Sequence, residues 1–94
     1  SAAQGRSLRH FHRQTLLLAA ESVEGLPPAL RDLSSVTVSI PASGYDEIRE
    51  IVKDFRSRVL TAVSRMSDPD RVYQVSVQMV PLALPKGVDR GVGD

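Results

Sequence analysis

Few residues in this chain have types and spacings suited to chemistry. His10 and His12 are its two histidines, and no cysteine accompanies them. Two positions apart on a helix, their rings point about 160° from each other, so they do not easily chelate one ion. No third histidine completes a site, and neither a metal nor a cofactor is expected. The serines lack the Gly-x-Ser-x-Gly setting of a nucleophile elbow. Ser34 and Ser35 stand at the start of an expected strand, where their hydroxyls serve backbone groups. Glu47, Glu50 and Asp54 read as a solvated helix face rather than a poised acid and base. The glycines form neither GxGxxG nor a P-loop. No catalytic residue is expected, and the chain reads as a non-enzyme.

The sharper candidates are two mixed-charge pairs, Arg31-Asp32 and Asp70-Arg71, each just before an expected strand. If those strands are parallel, both pairs sit at one end of a sheet. They either fix the strand entries as reciprocal ion pairs or bind a small anion or peptide through Arg31 and Arg71. Arg6, Arg9, His10, His12 and Arg13 crowd the start of the first helix, the wrong sign for its positive end. Either the helix or a preceding domain begins earlier in a longer protein, or this end meets an acidic partner.

The totals narrow the classes. Ninety-four residues make one domain. A chain of that size buries roughly 60–65% of its unfolded surface and is marginal alone. Twelve basic and 11 acidic side chains leave a net charge of +1, which counts against a general nucleic-acid binder. The longest apolar run, Leu16–Ala20, is far too short to span a bilayer, and there is no signal-peptide pattern. The expectation is a cytoplasmic protein with an aliphatic core, since Phe11, Tyr45, Phe55 and Tyr73 are the only aromatics.

The elements follow from periodicity. Residues 1–6 read as a disordered or added start. A first helix is expected from about Ser7 to Glu24, stopped by Gly25 and Pro27-Pro28. Ser35–Ile40 alternates strictly, with Val36, Val38 and Ile40 on one face of a half-buried strand. Tyr45–Ser67 is the strongest helix, with Ser43 as N-cap and Ile48, Val52, Phe55, Val59 and Met66 on its apolar face. Asp68-Pro69-Asp70 breaks it. Val72–Leu82 alternates again, with Tyr73, Val75, Val77 and Met79 on one face. The domain is expected over residues 7–82, followed by a flexible tail over 83–94.

A strand, a long helix and a strand joined by short loops imply a right-handed βαβ unit. At ~1.5 Å per residue the helix is about 34 Å long, a fair match to the second strand. The expected fold is α/β, a small two-layer αβαβ sandwich. Two strands alone leave both edges open, so the sheet is expected to be completed by dimerisation or by a neighbouring domain. Phe11, Val36, Val38, Phe55, Val59, Tyr73, Val75 and Val77 are the expected core and dimer residues.

Four motifs carry a resemblance: Phe11–Gln14, Arg31–Thr37, Phe55–Leu60 and Pro69–Gln74. In this order, over Leu8–Leu82, they resemble the C-terminal region of a bacterial family of uncharacterised proteins, a domain of unknown function. Its longer members resemble transcription regulators with a winged-helix-like region upstream. The resemblance implies a dimerisation or sensory domain that meets DNA only through an absent upstream part. It transfers no functional residue. The competing expectations are a small-ligand binding module, a protein–protein interaction domain without regulatory DNA binding, and direct nucleic-acid contact through Arg6, Arg9 and Arg13. A homodimer is the expected assembly, with a small-molecule or peptide effector as a further partner.

Overall fold

The computed structural model describes residues 1–89. Two α-helices dominate: α1 (Ala2–Gly25) and α2 (Gly44–Val63), with a short 3-10 turn at Pro28–Leu30 between them. The chain divides into two compact units. The first holds Ser1–Leu33 with the chain from Gln78 onward, and the second holds Ser34–Val77.

The first helix begins earlier than Ser7. Ser1 caps it: its hydroxyl accepts from the Gln4 backbone N–H at 3.2 Å, and its amino group donates to Gln4 Oε1 at 2.9 Å. That reciprocal pair is a capping box, and Ala2, Ala3 and Gln4 are strong helix formers. The expected disordered start at 1–6 is therefore corrected to a cap and the opening turns of α1.

Of the two stops expected at the other end, Pro27-Pro28 acts and Gly25 does not. Gly25 is still helical, and Leu26 is the extended residue that ends α1 (φ −124°, ψ 146°). Pro27 and Pro28 cannot continue the hydrogen-bond ladder. Pro28 instead opens the 3-10 turn, closed by Leu30 N–H to Pro27 O at 3.0 Å. Arg31 then folds back. Its Nε–H donates to Leu26 O at 3.2 Å and an η nitrogen to Val23 O at 3.0 Å. The guanidinium thus covers carbonyls that α1 leaves without an intrahelical partner, at the end where positive charge is favourable.

In the second unit, α2 starts without the expected side-chain cap. Ser43 is itself in the helical region (φ −67°, ψ −16°) and makes no capping hydrogen bond. A turn serves instead: Gly44 N–H donates to Pro41 O at 2.9 Å, and Tyr45 N–H to Ala42 O at 3.3 Å. Asp46 and Glu47 lie in the first turn, where the helix dipole favours them. Beyond Val63 the ladder tightens to three-residue bonds, Arg65 to Ala62 and Met66 to Val63, so turns continue nearly to the expected end at Ser67. Asp68 follows in the left-handed region at φ 57°, which a short polar side chain tolerates.

The α/β expectation is overturned. Among the described residues there is no strand, hence no sheet, no βαβ crossover and no αβαβ sandwich; the architecture is all-α. Residues 31–41 and 71–81 run without a helix or turn but form no ladder. A sheet completed by dimerisation falls with the sandwich. The physical reason is that alternation records where apolar groups lie along an extended chain, whereas a strand exists only through a hydrogen-bonded partner. On the faces that the pattern makes apolar, Val36 is 86% exposed and Tyr73 59%, and only Met79 is half-buried.

The expected tail contains one ordered feature. Val88 N–H donates to Pro85 O at 3.1 Å, with Gly87 at φ 86°. That is the geometry of a type II turn, whose third residue needs positive φ. The rest of the expected tail, 90–94, lies outside the described residues. No helix among the described residues is long and apolar enough to cross a membrane.

Candidate interaction surfaces

The four residues expected to bind a ligand are divided between the units. Arg31 and Asp32 belong to the first, Asp70 and Arg71 to the second. Asp32, Asp70 and Arg71 are exposed, while Arg31 is half-buried at the foot of α1. The hydrogen bonds of Arg31 make it a helix cap, a role that neighbouring-charge reasoning about Arg31-Asp32 did not identify. The sequence signal was available in principle: an arginine shortly after a Gly-Leu-Pro-Pro stop, where carbonyls need donors.

The expected core residues do not form a core. No apolar side chain among the described residues is buried; Val59 is half-buried, and Phe11, Val36, Val38, Phe55, Tyr73, Val75 and Val77 are exposed. What partial burial α2 has lies on one face, at Gly44, Ile48, Val52, Val59 and Ala62. Those positions follow helical spacing, and Ile48, Val52 and Val59 belong to the expected apolar stripe, whereas Phe55 and Met66 are exposed. On α1 the one buried residue is Thr15, 9% exposed, with Ala19 and Ser22 half-buried on the same face. The Thr15 and Ser22 hydroxyls donate within the helix, to His12 O at 2.9 Å and Ala19 O at 2.7 Å. These bonds let polar groups occupy an inward stripe without leaving a donor unpaired.

A further surface of α1 is exposed and chemically mixed. Arg9, His12, Arg13, Leu16 and Leu17 line a shallow cleft of about 430 Å³ on the helix surface. The Phe11 and His12 rings meet edge to face, 5.9 Å between centroids. His10 and His12 take no part in a metal cluster: among the described residues no three His, Asp or Glu side chains converge. On α2 the Arg49 guanidinium lies 5.9 Å from the Tyr45 ring centroid, one turn away, a surface cation–π contact.

No curated protein and no solved structure significantly matches the chain. A protein-family model described as Domain of unknown function (DUF4423) matches residues 2–82. That span takes in both helices, the extended segments and all four motifs noted in the sequence. The chain therefore belongs to the family described as Domain of unknown function (DUF4423).

Proposed function

We propose that this chain is a non-enzymatic association domain, the dimerising or sensory C-terminal part of a cytoplasmic bacterial transcription regulator. The supporting observation is the lack of any buried apolar side chain among the described residues. Amphipathic helices with no apolar core of their own among the described residues fit a fold completed by another chain or domain. The regulatory role rests on the resemblance carried by the four motifs. In such a protein the dimer would set the spacing of two upstream DNA-reading regions.

Sedimentation equilibrium tests the reading. At tens to hundreds of micromolar the chain is expected at twice its 10.2 kDa mass, dissociating on dilution. A well-folded species that stays strictly monomeric at the highest concentration removes the proposal.

A further inference from the structure

The open face of α1 carries both signs of charge in separate halves. Arg9 and Arg13 lie toward its start, Glu21 and Glu24 toward its end, and residues 14–20 between them are uncharged. At about 100° per residue, Arg9, Arg13, Leu17, Ala20 and Glu24 share the side opposite buried Thr15. Leu16 and Leu17, midway along that side and on its two edges, are 43% and 49% exposed. Such a face is complementary to itself when reversed. Turned about a two-fold axis between Leu16 and Leu17, Arg9 of one helix falls level with Glu24 of the other. Arg13 falls level with Ala20, whose small side chain leaves room for it, and Leu16 meets Leu17.

Resting on the association reading above, we propose that α1 docks antiparallel on α1 of a second copy through this face. Leu16 and Leu17 sit midway along it, and two Arg9–Glu24 pairs flank them. A purely acidic partner fits less well, because it would confront Glu21 and Glu24 at the far end. A two-fold copy satisfies both halves at once. The flanking pairs fix the antiparallel direction, since a parallel pairing would oppose arginine to arginine and glutamate to glutamate.

The test compares dimer dissociation constants by sedimentation for the wild-type chain, Leu17→Glu, Arg9→Glu, Glu24→Arg and the Arg9→Glu/Glu24→Arg swap. Glu24→Arg improves the match to the helix dipole and Arg9→Glu lies beyond the first turn, where the dipole has little effect, so lost association would not reflect lost helix. Circular dichroism checks that point. Each single charge variant is expected to weaken the dimer several-fold and Leu17→Glu by tenfold or more, while the swap restores it to near the wild-type value. Wild-type affinity in Leu17→Glu, or losses in the swap that simply add, overturns the α1 pairing while leaving a dimer built on other surfaces intact. A wild-type chain that is itself monomeric overturns both readings.

Discussion

Arg31 shows how one side chain acquires a role from its position after a helix. Its guanidinium spans two carbonyls, Val23 O and Leu26 O, at the negative end of α1. Each net hydrogen bond of this kind contributes about 1 kcal/mol, slightly more with a charged donor. Arg31→Ala is therefore expected to lower stability by about 1–2 kcal/mol. Arg31→Lys should recover only part of it, because an ammonium cannot reproduce the planar fork. Urea unfolding followed at 222 nm, at one fixed protein concentration, reads the difference; an unchanged midpoint for Arg31→Ala would refute the cap. From the sequence, Arg31 was paired with adjacent Asp32 as a strand-entry or ligand residue. The fold-back through the 3-10 turn depends on dihedral angles at Leu26 and Pro27 that residue types alone leave open.

At the scale of elements, both helices were legible and their ends were less so. Helical periodicity located α1 and α2 because an amphipathic stripe extends over many residues and survives local irregularity. Ends depend on a few hydrogen bonds. Ser43 looked like an N-cap, yet the preceding turn supplies the carbonyls. Gly25 looked like a stop, yet it is helical. With no positive φ at Gly25 and open space where a Cβ would stand, Gly25→Ala is expected to stabilise α1 by roughly 0.5–1 kcal/mol. A lower melting temperature for that variant would show that Gly25 needs conformations denied to alanine. The extended segments are the element-scale error. Their alternation is real, but a one-dimensional pattern contains no pairing partner.

At the scale of the whole molecule, stability and association should be inseparable. If the chain dimerises as proposed, dimer formation stabilises its folded state by mass action, so its apparent melting temperature should rise with protein concentration. Scans over a hundredfold concentration range check this. A constant melting temperature would mean that the helices are stabilised within one chain and that the exposed faces contribute nothing. The candidate ligand set belongs at this scale too. Arg31 and Arg71 were drawn together by an assumed parallel sheet, and without that sheet they belong to separate units.

By itself the sequence determined the two helices, the breaks at Pro27-Pro28 and Asp68-Pro69, and the lack of a membrane-crossing helix among the described residues. Its motifs also anticipated membership in a family of unknown function. These properties depend on local propensity, periodicity and proline geometry, all written along the chain. Only the tertiary structure decided that the alternating segments form no sheet, that Thr15 rather than an apolar residue is buried, and that Arg31 caps α1. Those outcomes depend on which groups meet across space, and the spacing of residues along one chain does not specify the partner.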